Sequence, residues 1–219
     1  ASILPAPAGA APQLVDDGNG GQVERQDLVF PVDGPNRYSD TWGACRGTDC
    51  ERSHLGTDIM ADKGVPVVAA ASGTVTHVNW SWTVEGIDPA RCCTIQIRHD
   101  NGWYSRYIHL DNDTPGTDDG LGWGIADGIV PGVRVEAGQL VGWVGDSGNA
   151  EWVNPHLHFE LQTPDRVNVN PYPHVVVADP SGSGRFTDDD TSVHEADIEF
   201  IAALGITRGC NPPDNTEYC

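Results

Sequence analysis

Two short stretches carry residues whose types and spacing could do chemistry together: Ser53-His-Leu-Gly-Thr-Asp58 and Pro155-His-Leu-His158. Side chains alternate faces along an extended backbone, so residues an even number apart share a face. His54 and Asp58 are four apart, and His156 and His158 are two apart. If both segments are strand-like, each pair points into one cleft and gathers three imidazoles and a carboxylate. That donor set suits Zn²⁺. A structural zinc site closes with four protein ligands, whereas a catalytic one keeps a position open for water. Here the chain offers three ligands and spare histidines to work on that water. The expectation is hydrolytic zinc chemistry with one Zn²⁺ per chain.

The elements that must position these residues read as strands. Leu28-Val-Phe-Pro-Val32 begins the compact part, and Gly64-Val-Pro-Val-Val-Ala-Ala-Ala71 reads as a strand buried on both faces. Thr74–Val78 and Thr94–His99 alternate as half-buried strands do. Asp100-Asn-Gly102 supplies a hairpin turn. The return strand 103–109 puts Trp103, Ser105, Tyr107 and His109 on one face by alternation. Residues 79–93 and the Asp- and Gly-rich stretch 111–131 read as long loops, the kind that form walls or lids. Val133–Gly145 reads as short strands broken by glycine turns, leading to the strand His156–Leu161.

The 219 residues, with 26 Gly and 16 Pro between short Val-rich runs, suit one all-β domain, a small antiparallel β-sheet or sandwich with a groove. Residues 1–27, Ala/Pro/Gly-rich and then acidic, read as a flexible arm, and 28–178 as the domain proper. Residues 179–185 form a linker by composition. In 186–219 the pattern turns helical, with apolar spacing over 191–204 that Gly205 stops.

Twelve basic residues against 32 acidic ones give a net charge of −20. So acidic a surface argues against nucleic acid or anionic lipid as a partner. No apolar run is long enough to span a bilayer, so no membrane insertion is expected. The opening Ala1-Ser-Ile-Leu-Pro-Ala-Pro-Ala reads as the start of a mature, secreted protein, and a monomer is expected. Six cysteines, at 45, 50, 92, 93, 210 and 219, suggest disulfides. Cys210 with Cys219 is the favoured pair and Cys45 with Cys50 the next. Cys92 and Cys93 pair with each other or with those two.

Four ordered motifs carry a resemblance over roughly residues 28–175. They are His54-x-Gly-x-Asp58 with Gly64-x-Pro-Val67 behind it, Ile97–Gly102 running to Tyr107-Ile-His-Leu110, Gly138-Gln through Gly142-x-x-Gly145, and His156-Leu-His-Phe-Glu160. Together they resemble the lysostaphin-like (LytM-type) zinc metalloendopeptidases. The resemblance implies a small antiparallel β domain with a groove across a sheet, zinc held by His54, Asp58 and His158, and His109 and His156 as catalytic histidines. It implies peptide cross-links of bacterial peptidoglycan as substrate, either glycine-rich bridges or stem peptides beside D-alanine. Two rival functions share the fold: a secreted peptidase of glycine-rich extracellular proteins, and a non-catalytic wall-binding regulator. The segment Phe186–Pro213 resembles the first half of an S-layer-homology repeat.

One histidine must take a proton from water and the other steady the oxyanion; the two-residue step to His158 favours His156 as base. Tyr107 reads as a substrate donor or as a buried strand tyrosine. Trp80, Trp82, Trp103 and Trp123 are groove-wall or core residues, and Asn149 and Asn154 substrate contacts or turn formers. His77, His99, His174 and His194 are read as structural or surface residues, and Asp188-Asp-Asp190 as a solvated acidic run.

Overall fold

A computed structural model of the chain describes residues 12–79, 82–83, 86–87 and 93–179. The helix of 191–204, the repeat-like segment, the linker beyond Asp179, the Cys210–Cys219 pair, Cys92, Trp80, His194 and the acidic run 188–190 lie outside the described residues. In chain order the strands are β1 (Leu14–Asp16), β2 (Gln22–Glu24), β3 (Cys45–Arg46), β4 (Arg52–Ser53), β5 (Thr57–Met60), β6 (Pro66–Val68), β7 (Gly73–Asn79) and β8 (Trp82–Thr83). There follow β9 (Gly86–Ile87), β10 (Thr94–His99), β11 (Tyr104–Ile108), β12 (Arg134–Val135), β13 (Leu140–Trp143), β14 (His156–Gln162), β15 (Asn168–Val169) and the helix α1 (Tyr172–Ala178). The all-β class expected from the sequence holds.

One antiparallel sheet of seven strands organises the domain, in the order β12-β7-β10-β11-β14-β15, with β5 sharing the outer edge of β14 with β15. Its centre is the hairpin β10–β11. Gly102 closes that hairpin with φ +91°, a left-handed conformation open to glycine without strain. Alternation then sorts the side chains. Ile95, Ile97, Tyr107, Leu157, Phe159 and Ile59 are all buried on one face. They form one cluster with Val67 and Val141 of the smaller pair β6–β13 and with Ala69 and Val144 just beyond those strands. Burying side chains of this size stabilises by about 1.5–3 kcal/mol each against exposure, so this face fixes which residues are left on the other.

The opposite face carries the chemistry. Register pairs Ile108 with His158, Arg106 with Glu160, and His158 with Asp58. Cross-strand partners share a face, and one strip across β11, β14 and β5 therefore presents Arg106, Ile108, Glu160, His158, His156 and Asp58.

The arm expected over 1–27 is, from residue 12 onward, ordered. β1 and β2 form a hairpin whose turn is capped by the Asp17 carboxylate, which accepts from the N–H groups of Asn19 and Gly21. The hairpin docks beside β15 and α1: Asn170 N–H donates to the Asp17 carbonyl, Asn19 Nδ2 to the Asn168 carbonyl, and Trp42 Nε1 to the Gly18 carbonyl. Cys45 and Cys50 are disulfide-bonded and close the β3–β4 hairpin. Pairing of either with Cys92 or Cys93 is thereby excluded. Cys93 is itself disulfide-bonded, to a partner outside the described residues. No helix among the described residues is long and apolar enough to cross a membrane.

Candidate metal centre

His54 stands in the short link between β4 and β5, Asp58 inside β5 and His158 inside β14. His54 and Asp58 thus do not share one strand, as the spacing alone had suggested. The chain bends between them at Gly56. A Cβ there would lie 2.6 Å from the Phe159 carbonyl oxygen and 2.8 Å from the His158 ring. The glycine of the His-x-Gly-x-Asp motif is therefore required by the close approach of β14.

Three atoms converge at one point. His54 Nε2 lies 2.9 Å from Asp58 Oδ1 and 2.9 Å from His158 Nδ1, and His158 Nδ1 lies 2.8 Å from Asp58 Oδ1. Proton accounting shows what these atoms are. The other nitrogen of His54, Nδ1, is 2.8 Å from the Thr41 carbonyl oxygen. A carbonyl only accepts, so Nδ1 carries the hydrogen and neutral His54 presents a bare lone pair at Nε2. His158 does the same in mirror image: its Nε2 faces Glu160 Oε1 at 3.3 Å, which leaves Nδ1 bare. The Asp58 oxygen is an acceptor as well.

With both imidazoles neutral, three acceptors face one another with no hydrogen to share among them. Such a triangle repels itself unless a cation sits against it, and two imidazoles with one carboxylate are the donor set zinc takes. The residues fit that ion. Electrostatics agree: burial opposes the Asp58 charge, but His158 and His54 outweigh it and hold the carboxyl well below the usual carboxylate range. Burial likewise pulls His158 down, yet Asp58 and Glu160 together raise it above the ordinary imidazole value. The cluster attracts positive charge.

A surrounding shell fixes the orientation of these side chains. Glu160, buried, accepts from Arg106 Nη1 at 2.7 Å and from Asn168 Nδ2 at 3.2 Å while it holds His158. Arg46 Nη2 donates to the outer Asp58 oxygen at 2.6 Å. Partners of this kind set tautomer and basicity in metal sites.

Both remaining sequence candidates arrive at the same groove, a space of about 710 Å³ lined by His109, His156, Arg46, Arg52, Asn149 and Val153 among others. The rings of His109 and His156 are 5.0 Å apart, and those of His109 and His158 are 5.9 Å apart. His156 Nδ1 donates to the Asn154 carbonyl and His109 Nδ1 to the Ser147 carbonyl, each at 2.8 Å, so each presents a bare Nε2. Burial, with His156 beside it, pushes His109 down to about 4.

The route of His109 to the groove corrects the face assignment made from alternation. Ser105 and Tyr107 are wholly buried on the core side, and a continued strand would send His109 after them. Instead His109 has φ +65°, and the reversal ends β11 and turns the ring to the groove. That conformation is uncommon for a residue bearing a Cβ, and strained backbone of this kind gathers at functional sites.

The other candidates divide clearly. Tyr107 is core: its hydroxyl accepts from Ala70 N–H at 2.7 Å, inside a buried chain with Ser105 and His99. Trp103 is core, and Trp123 lines a second cavity of about 1040 Å³ with the 111–127 loop, away from the metal groove. That loop is moored by Lys63, whose ammonium contacts Asp113, Asp118 and Asp146. His174 is buried, accepting from Gln26 N–H, and His77 is exposed. Sequence reasoning gave no role to Glu160, although its place two residues beyond His158 on one strand puts both on one face. Arg46 carried no such signal, because it reaches Asp58 only through the folding of a separate hairpin.

Comparison with known proteins agrees with this geometry. The sequence profile of Peptidase family M23 matches residues 52–171, more than half of the chain. The L-Ala–D-Glu endopeptidase of Bacillus subtilis is 32% identical over 169 residues, 71% of this chain and 45% of that protein. The peptidoglycan DD-endopeptidase ShyC of Vibrio cholerae is 29% identical over 148 residues, 66% of this chain and 29% of that one. The chain spans less than half the length of these curated relatives. Among solved structures, the lytM protein of Ruminococcus gnavus superposes with a TM-score of 0.50 at 28% identity, over 69% of this chain and 61% of that one. With the profile spanning both halves of the acceptor triangle and the two histidines that flank it, the chain belongs to peptidase family M23.

Proposed function

We propose that this domain is a secreted zinc endopeptidase that hydrolyses peptide bonds of bacterial peptidoglycan, with His54, Asp58 and His158 as the zinc ligands. The observation that carries the reading is the acceptor triangle with two further imidazoles beside it, each offering a bare Nε2. Zinc bound there supplies Lewis acidity, polarising the scissile carbonyl, steadying its developing negative charge and lowering the pKa of water.

The chain's own residues do the rest. His156 Nε2 takes the proton of the attacking water, and its Nδ1–H, fixed on the Asn154 carbonyl, keeps the ring aimed. The imidazolium so formed hands its proton to the departing amine nitrogen. His109 is kept neutral by burial, and its Nε2 accepts the water's second hydrogen and orients it. Each histidine in its resting tautomer offers a bare Nε2, and this reading therefore sets two acceptors beside one water in place of one base and one oxyanion donor. The Cys45–Cys50 disulfide suits an oxidising compartment outside the cytoplasm.

The test is metal content of the purified chain together with product analysis after incubation with sacculi, with and without chelator. One zinc per chain and chelator-sensitive release of new amino termini is the expected result. Stoichiometric zinc with no cleavage of any wall overturns the catalytic reading.

A further inference from the structure

We propose that the groove recognises a carboxylate on the peptide it cleaves, with Arg52 as the recognising cation, so that its substrates are anionic stem peptides rather than uncharged glycine bridges. The proposal rests on the peptidase reading above and adds the substrate class to it.

Charge distribution is the first observation. The chain carries 32 acidic residues against 12 basic ones, yet two of those few arginines, Arg46 and Arg52, line the metal groove. The groove's two carboxylates are both engaged: Asp58 by Arg46 and the imidazoles, Glu160 by Arg106, Asn168 and His158. Once a divalent cation joins them, this groove is a positive hollow in an acidic protein. A field of that shape favours an anionic ligand there.

Geometry is the second. Arg46 and Arg52 are cross-strand partners in the β3–β4 hairpin, so both side chains stand on one face. Like charges directly opposite each other destabilise a strand pair. Arg46 is neutralised by Asp58. Arg52 is exposed, and its guanidinium has no hydrogen bond or ion pair among the described residues. The disulfide Cys45–Cys50 holds the hairpin closed, and Arg52 stands two residues before His54. A guanidinium presented in this way has the planar fork that grips a carboxylate with two parallel hydrogen bonds. A glycine bridge has no side-chain or branch carboxylate to offer it, whereas a stem peptide does.

The experiment compares synthetic stem peptides with free carboxylates, the same peptides amidated at those carboxylates, and pentaglycine, on zinc-loaded wild type and Arg52→Gln. Wild type is expected to favour the acid over the amidated peptide by about tenfold in kcat/KM, as a charge-assisted hydrogen bond at an exposed site gives. The difference is expected in KM rather than kcat. In Arg52→Gln the acid-to-amide ratio falls to about one while zinc content stays at one per chain. An unchanged ratio in the variant, or pentaglycine cleaved as well as the acid peptide, overturns the proposal. If wild type cleaves none of them, the peptidase reading fails instead, and calorimetric binding to zinc-loaded His156→Ala decides this one. Tighter binding of the acid peptide that Arg52→Gln abolishes supports it, and equal binding of both forms overturns it.

Discussion

Replacing Asp58 by Asn puts a hydrogen-bond donor into a triangle that has none. The substitution keeps shape and volume but exchanges an acceptor oxygen for an NH₂ group, or offers it by rotation, within 2.9 Å of two bare imidazole nitrogens. Its effects are opposite in the two metal states. With zinc at about a hundred times its dissociation constant, wild type gains about 2.7 kcal/mol. For a domain of this size that is roughly 5–10 °C in melting temperature. The variant loses a charged ligand and with it that gain.

With chelator the balance reverses. Buried acceptors left without a donor cost about 1–3 kcal/mol, which the Asn amide relieves. Against this stands the lost charge partner of Arg46, a side chain 37% exposed, for which about 1 kcal/mol is an upper figure. The chelated variant is therefore expected to melt at or a few degrees above chelated wild type. Asp58→Ala, which removes the ligand without adding a donor, is expected to melt below both. The assay is thermal unfolding by circular dichroism, with and without zinc, on the alkaline plateau of the chelated protein, because Asp58 and Glu160 raise His158 above the ordinary imidazole value and the triangle lacks a hydrogen only once that ring is neutral. A chelated Asn variant that melts as low as the Ala variant, or an Asn variant that keeps the full zinc-dependent shift, refutes the acceptor triangle.

Two further outcomes follow from the same geometry. His158→Ala removes a ligand atom and is expected to abolish both zinc binding and hydrolysis. His109→Ala touches no atom of the triangle and is expected to keep one zinc per chain while losing about 10²-fold or more in kcat; metal analysis beside sacculus hydrolysis separates the two, and a fully active His109→Ala enzyme refutes its placement. Acid should destabilise the fold through His99 and His174, which burial holds down to about 4. A base with a folded value below its unfolded value near 6.5 contributes stability that is present above 6.5 and lost as pH falls through 4, here about 3 kcal/mol for each group as an order of magnitude. Denaturant titrations at pH 7, 5.5 and 4.5 check this. A flat profile, or one that His174→Gln leaves equally steep, contradicts it.

Alternation and turn chemistry made the central sheet legible from sequence. Thr94–His99, the Asp100-Asn-Gly102 turn and the His156 strand are each where the period of two puts them. The gathering of His156, His158 and Asp58 was legible for the same reason, since His156 and His158 share a face of β14, and Asp58 sits directly across from His158. What alternation could not supply is its own interruption. His109 reaches the groove because one residue adopts φ +65°, and nothing in Tyr107-Ile-His-Leu110 announces that. Nor could local pattern show that the acidic, Gly-rich second half of the arm, residues 14–24, is a docked hairpin, because its order comes from hydrogen bonds to Asn168, Asn170, Trp42 and His174. Those partners lie far along the chain or on other elements.

All four histidines of the groove obey one rule, and it explains why main-chain geometry matters here as much as the ligands. Each has one ring nitrogen bound to an acceptor: the carbonyls of Thr41, Ser147 and Asn154, and the Glu160 carboxylate. Each, when neutral, is thereby committed to a single tautomer with its lone pair facing inward. Three of the four acceptors belong to loop backbone, so any residue type could supply them. Their identity is invisible in sequence, yet with Glu160 they turn two lone pairs onto Asp58 and two into the groove beside it, where the proposed reading needs a cation and a water. A backbone shift that moved the Ser147 carbonyl away would free His109 to change tautomer without altering a single side chain of the site. The loop 145–155, which sets both the Ser147 and Asn154 carbonyls, therefore controls the proton-accepting side of this groove as directly as His109 and His156 themselves.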